Sequence, residues 1–434
     1  MQKLLIIVLS TFLSVLKIYG QNSSLDFIIV KETNFFYKDS IDNVVTYGNY
    51  EPTGIISLDD GSLVISTKFS ITFPDQYKTP ETFTKEYFDR ARIYQEKAHI
   101  SSGSVFMLNK DREKQWEVFF RDKRVETVKL LSDETILAVG EDVSLKFFWI
   151  AKISKEGEVL DEKEFRFKRR PFIENVKTDR LNNIYILLST EKMKIINITK
   201  LQFGQKKIGF FQESEMEHNI YLLKISPTNI ILWSTAIDKR RDYWTFGKNL
   251  VIHNSDIFVS TSFRGFRKEK KERIKDDGEL LFLIRETGKI KQTYLFENKK
   301  IFINNNQLLF ATSAHNDTLI LYEGNQNSLL PIESIVFDDE ITTFWTINFK
   351  EGNNYNYIFA THLHNLGCLL IELDKKNKYI KHWKDSIENI SSLVDGVVSA
   401  NNSVVILACH YSNPRDNSTE QKVYSVKLIE LEKK

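Results

Sequence analysis

The chain has 434 residues, with 60 Lys+Arg against 58 Asp+Glu, 42% hydrophobic and 27% charged residues, a balance that excludes a nucleic-acid-coating protein and a disordered tail. Two cysteines exclude a disulfide-stapled scaffold and a cysteine-rich zinc module. Seventeen glycines and seven prolines exclude a collagenous or linker-dominated chain.

Met1-Gln-Lys3 is a short basic start, and Leu4 to Leu16 is an apolar run broken only by Ser10, Thr11 and Ser14. With the small residue Gly20 after it, this reads as a secretory signal peptide over residues 1–20, too short to span a bilayer comfortably. The two lysines it contains leave a mature charge of +2 − 2 = 0. Residues 21–434 are then expected to be one exported domain, secreted, periplasmic or at the cell surface, with no membrane span.

The mature chain repeats one strand. A polar turn precedes four or five apolar residues and a small terminal residue. The copies are Leu63-Val-Ile-Ser-Thr67, Ile136-Leu-Ala-Val-Gly140, Tyr185-Ile-Leu-Leu-Ser-Thr190 and Ile257-Phe-Val-Ser-Thr261, then Leu308-Leu-Phe-Ala-Thr312, Tyr357-Ile-Phe-Ala-Thr361 and Val404-Val-Ile-Leu-Ala-Cys409. Their ends lie 73, 50, 71, 51, 49 and 48 residues apart, a period near 50 with two insertions. Each copy follows a short apolar strand and precedes a second hairpin, so each repeat supplies four strands, a to d from the centre outward. Four-stranded β repeats of this length are propeller blades.

The expected fold is therefore all-β, a seven-bladed β-propeller with four-stranded blades. An eighth blade would require residues 194–212 to be blade strands. The last repeat ends on strand c, Val423 to Leu431, and Asp26-Phe-Ile-Ile-Val-Lys31 offers the missing outer strand, so the N-terminal strand is expected to close the last blade. Residues 70–102 read as a helical insertion: Thr79-Pro80 is a helix start, and Phe83, Tyr87, Ala91, Tyr94 and Ala98 recur at helical spacing. Residues 191–217 read as a second insertion, an extra hairpin. Cys368 and Cys409 fall on strands of different blades, and an exported chain would permit them to pair.

In such a fold the b–c loops and the d-to-a crossovers emerge on one face. Its basic residues are Arg124, Lys168, Arg169, Arg170, Lys239, Arg240 and Arg241 on crossovers, with Arg264 and Arg267 on a b–c loop. Arginine forks suit carboxylate, sulfate and phosphate, so these are the candidate ligand-binding residues. His315, His362, His364 and His410 all follow strand b and are the weak candidates for a metal site. No H-E-x-x-H, G-x-S-x-G or P-loop spacing occurs.

Trp116, Trp233 and Trp383 end c–d hairpins, and on these residues the chain resembles exported bacterial β-propellers related to the PQQ-like (quinoprotein-like) superfamily. That resemblance implies the architecture. Only Gly157 and Gly288 stand at turns comparable to that family's tryptophan-docking motif, and its acidic and glycine signature is absent, so no cofactor is expected. The sequence reading is a non-catalytic binding or scaffold protein, a monomer, engaging an anionic polysaccharide or protein partner and no nucleic acid. The alternatives are a carbohydrate-active hydrolase or lyase, or a degenerate quinoprotein, using the channel mouth, and a structural component of an envelope assembly.

Overall fold

The computed structural model describes residues 27–35, 37–41, 44–72, 102–142, 147–167, 170–203, 207–238, 243–253, 256–269, 272–297, 302–303, 309–315, 318–325, 328–336, 344–362, 368–385, 390–398, 403–412 and 423–433. The signal-peptide segment and most of the helical insertion lie outside them.

The strands follow in chain order. The first sheet holds β2 (Tyr37–Ile41), β3 (Val44–Ser57), β4 (Leu63–Thr72), β5 (Ser102–Leu108) and β6 (Lys114–Phe120). The second holds β7 (Lys123–Leu130), β8 (Ile136–Asp142), β9 (Phe147–Ile153) and β10 (Val159–Arg166). The third holds β11 (Arg170–Thr178), β12 (Ile184–Phe203), β13 (Lys207–Ile225) and β14 (Ile231–Asp238). The fourth holds β15 (Tyr243–His253), β16 (Asp256–Glu269), β17 (Glu272–Arg285) and β18 (Ile290–Glu297). Next come β19 (Phe302–Ile303), β20 (Leu309–His315), β21 (Thr318–Asn325) and β22 (Ser328–Val336), then β23 (Phe344–Glu351), β24 (Asn356–His362), β25 (Cys368–Leu373) and β26 (Tyr379–Asp385). The last sheet joins β27 (Ile390–Val398), β28 (Val404–Ser412) and β29 (Val423–Lys433) to β1 (Phe27–Phe35), in the order β1-β29-β28-β27.

The blade count expected from the sequence is corrected. The structure has six four-stranded blades, not seven, and the remaining sheet, β2-β3-β4-β5-β6, has five strands. The cause is local. Strand β3 runs 14 residues, and its first part pairs back onto Tyr37–Ile41 from Tyr37↔Gly48 to Ile41↔Val44. Asp42 and Asn43, the two residues between these strands, are turn formers. Residues 194–212 make no further sheet: β12 and β13 extend as one hairpin to Phe203↔Lys207.

The first strands of successive sheets, β3, β7, β11, β15, β19, β23 and β27, lie against one another, and β27 returns to β3. They line the axis of a closed ring. The cores lie between sheets, because each sheet is apolar on both faces. Val64 and Val105 pack with Ala138 and Trp149, while Val139 and Ile150 pack with Ile186 and Leu223.

Among the described residues eight hairpin turns share one geometry. In Asn109–Glu113, Ser154–Glu158, Asp179–Asn183 and their equivalents, the first N–H donates to the fifth carbonyl and the fourth N–H to the first. The fourth residue takes a positive φ of 60–89°. The first residue's side chain often caps the turn: Asp179 Oδ1 accepts from the N–H groups of Leu181 and Asn183, both at 2.9 Å. Two of these turns also lock neighbouring sheets. Trp116 Nε1 donates to the Lys155 carbonyl at 2.7 Å, and Trp233 Nε1 to the Glu286 carbonyl at 2.9 Å. A Cβ on Gly157 would stand 2.8 Å from the Trp116 ring, and one on Gly288 3.0 Å from Trp233. Trp383 has no such turn ahead of it, since the outer strands of the next sheet, β29 and β1, are the two ends of the chain. It packs instead against the cluster around Tyr357 and Phe359.

Candidate functional site

Two b–c hairpins project beyond their neighbouring strands. β11 follows β12 only to Glu191, and β14 follows β13 only to Ile220. Beyond those rungs β12 and β13 continue alone. Likewise β15 follows β16 to Gly265 and β18 follows β17 to Gly278, while β16 and β17 continue to Glu269↔Glu272.

The predicted binding residues are placed unevenly. Arg124 is half-buried near the start of β7, and Arg264 is exposed on β16. Arg170 begins β11 and Arg267 lies on the projecting part of β16, but their side chains are outside the described residues. Lys168, Arg169, Lys239, Arg240 and Arg241 lie wholly outside them. Lys123, next to Arg124, is already paired with Glu162 and Glu164 of β10. His315, His362 and His410 lie at or near the ends of β20, β24 and β28, with side chains outside the described residues, and His364 lies outside them altogether. Among the described residues no His, Cys, Asp and Glu group could hold a metal ion. Cys409 is buried on β28, and the Cys368 side chain is outside the described residues.

The axis carries charges that the sequence reading passed over. Most of the inner strands are interrupted by a bulge, at Thr53, Glu126, Glu174 and Lys248, and in β27 at Ser391 and Val394. A bulge turns one side chain out of the strand's alternation. Near the b–c face the result is a mostly acidic tier. Glu126 pairs with Lys68 at 2.8 Å, and Glu174 accepts from the Ser189 hydroxyl at 2.6 Å. Glu141, on β8, is buried and accepts the Ile173 N–H of the next sheet. Burial first, and the Glu126 charge second, push its carboxyl up to about 8. Its Oε1 takes a backbone N–H from the next sheet, an inter-sheet contact.

Nearer the a–b turns is a basic tier. Lys129, Lys177 and Lys350 pair with Leu137, Tyr185 and Tyr357, each one rung before its strand ends. Ile56 and Ile252 are next to last in β3 and β15, and Val397 in β27. Lys350 Nζ meets Asp395 of β27 at 2.9 Å. Lys129 is pushed down to about 8 by burial and by the charge of Lys350, against the pull of Asp395. Lys177 is pushed down to about 7 by burial, then by Lys129 and Lys350. A lysine recurring beside the a–b turn in three repeats was the available signal.

This tier sets a pH dependence. Lys177 holds its proton up to 10.5 when unfolded and to about 7 when folded. Between those values the unfolded chain binds more protons, so stability rises with pH, and the penalty is full below pH 7. Lys177→Met should remove that rise and stabilise the protein at pH 6 by about 2 kcal/mol, a value reduced from the full shift for remaining water contact. Denaturant titrations of both proteins from pH 6 to 10 check it. Parallel curves would show that Lys177 is no more strained than an exposed lysine.

The fold defines the class: a β-propeller, from the closed ring of sheets itself. No family model matches the chain, and no curated protein matches it. Among solved structures it is similar to the Dos1 propeller, at 8% identity and TM-score 0.45, over 91% of this chain and 88% of that one. It is also similar to Kuenenia stuttgartiensis hydrazine synthase, at 9% identity and TM-score 0.47, over 86% and 94%. A third likeness is to Pseudomonas brassicacearum lignostilbene dioxygenase, at 8% identity and TM-score 0.39, over 76% and 86%. No activity or partner is carried over from these. Among the described residues no helix is long and apolar enough to cross a membrane.

Proposed function

We propose that the chain is an exported, non-catalytic β-propeller that binds an anionic partner, an acidic polysaccharide or an acidic protein surface, through its b–c face. The observation that carries this reading is the pair of b–c hairpins projecting from neighbouring sheets. Residues 264–277 hold seven Lys and Arg against four Asp and Glu, and residues 191–217 hold five against four. Projection beyond the sheet gives such charges access to an extended ligand, and arginine forks suit its carboxylates or sulfates. Export rests on the basic and apolar start of the chain. The distant PQQ-like resemblance adds architecture only, and with no cofactor signature the reading is of a binding protein.

The test is a binding titration of residues 21–434 against acidic and neutral polysaccharides at low and high salt. Acidic chains should bind, and binding should weaken at least tenfold between 50 and 200 mM salt, as expected when several ion pairs form. Changing Arg264 and Arg267 to glutamate, alongside Lys168, Arg169, Arg170, Lys239, Arg240 and Arg241, should abolish it. Equal binding to neutral and acidic chains would overturn the reading.

A further inference from the structure

We infer that the basic tier of the central channel is a binding site for a phosphate dianion, free or carried as a phosphomonoester. Three ammonium groups reach this level from three separate sheets: Lys129 on β7, Lys177 on β11 and Lys350 on β23. One carboxylate, Asp395 on β27, answers them, and it is engaged by Lys350 at 2.9 Å. The ammonium groups of Lys129 and Lys177 meet no acceptor or carboxylate among the described residues, yet each is within electrostatic reach of Lys350 and Asp395.

Like charges held near one another, each only partly shielded from water, are a standing cost to the fold. A single dianion offsets two such charges. Its chemistry follows from the donors. Lysine is a compact point charge without a preferred fork, so ammonium groups arriving from different strands suit the terminal oxygens of a tetrahedral phosphate better than a planar carboxylate. Equivalent placement by the repeat, rather than chance, sets the spacing: each lysine stands one rung before an a–b turn, on the strand that lines the axis. The site is separate from the projecting hairpins and does not depend on what they bind.

The test is calorimetric titration at pH 7 with inorganic phosphate in one arm and glycerol phosphate in the other, with chloride at matched ionic strength as control. At least one phosphate arm should saturate at one equivalent, and the tighter arm identifies whether the group is bound free or as an ester. Lys129→Met or Lys177→Met should weaken that arm about tenfold or more, since each removes one charge-assisted contact. Lys177→Arg, which keeps the charge, should retain most of the affinity, and Lys163→Glu, on the exposed outer strand β10, should leave it unchanged. Thermal unfolding with and without phosphate gives a second readout: the midpoint should rise in the wild type and not in the Lys129→Met, Lys177→Met double variant. The inference fails if neither arm binds, or if the double variant binds as the wild type does.

Discussion

Gly140→Ala should be among the most damaging single-methyl changes in the molecule, costing about 3 kcal/mol or more in denaturant unfolding. Gly140 lies on β8 opposite Val125, where the β7 bulge begins. An added Cβ would stand 1.8 Å from the Arg124 carbonyl oxygen and 2.8 Å from the fully buried Trp149 ring. Neither neighbour can yield, because one is backbone and the other fills the core between two sheets. Gly54→Ala is the comparison. Its added Cβ meets the Ser66 hydroxyl at 3.2 Å and nothing closer, so a cost of about 1 kcal/mol or less is expected. Equal losses in the two variants would show that close backbone approach is not what requires glycine at 140. In two other sheets the residue beside the inner-strand bulge is also small: Thr67 pairs with Pro52 and Thr261 with Gly247.

The second large effect concerns the seam between the chain's ends. Arg112, in the turn between β5 and β6, reaches Glu430 of β29 with two parallel bonds, Nε to Oε1 at 2.8 Å and Nη2 to Oε2 at 2.9 Å. Its Nη1 donates to the Gly61 carbonyl at 3.0 Å. The pair is well shielded, with the side chains 10% and 18% exposed, and Arg112, the fourth residue of its turn, has a φ of 68°. Arg112→Met should cost about 3 kcal/mol, most of it from leaving Glu430 shielded and unpaired. The double variant with Glu430→Met should recover more than half of that loss, since an apolar pair leaves no stranded charge. A double-mutant cycle in urea measures the coupling. Additive losses would mean the fork is an incidental surface contact.

The sequence disclosed the architecture more readily than the site. Six copies of strand b fall within β4, β8, β12, β16, β24 and β28, and the fifth falls within β20 from Leu309 on, because a buried strand writes an apolar run. The strand-like N-terminus was legible for the same reason, and Phe27 does pair with Lys433. Tyr37–Ile41 was missed because a five-residue edge strand of mostly polar residues has no such run, and that strand is what changes the number of four-stranded blades. The channel lysines were hidden differently. Lys129, Lys177 and Lys350 sit on short inner strands, where a polar residue reads as a solvent-facing position. Only ring closure turns that position toward an axis shared with six other strands. The candidate basic residues were chosen by their places on crossovers and on one b–c loop, an argument from strand order that says nothing of their side-chain surroundings.

The pairing of β1 with β29 also has a meaning in time. During synthesis β1 emerges first and waits, while its partner β29 follows only after all the intervening strands. Until then β1 presents an unpaired edge, and β28 lacks one neighbour. Closing so long a loop costs entropy that grows only slowly with length, but contacts between distant residues are made slowly. The ring therefore completes as a late event, after the intervening sheets have formed on their own local hairpins. A partly synthesised chain is an open arc with an unpaired edge, and it is in that interval, rather than once closed, that self-association would compete with folding.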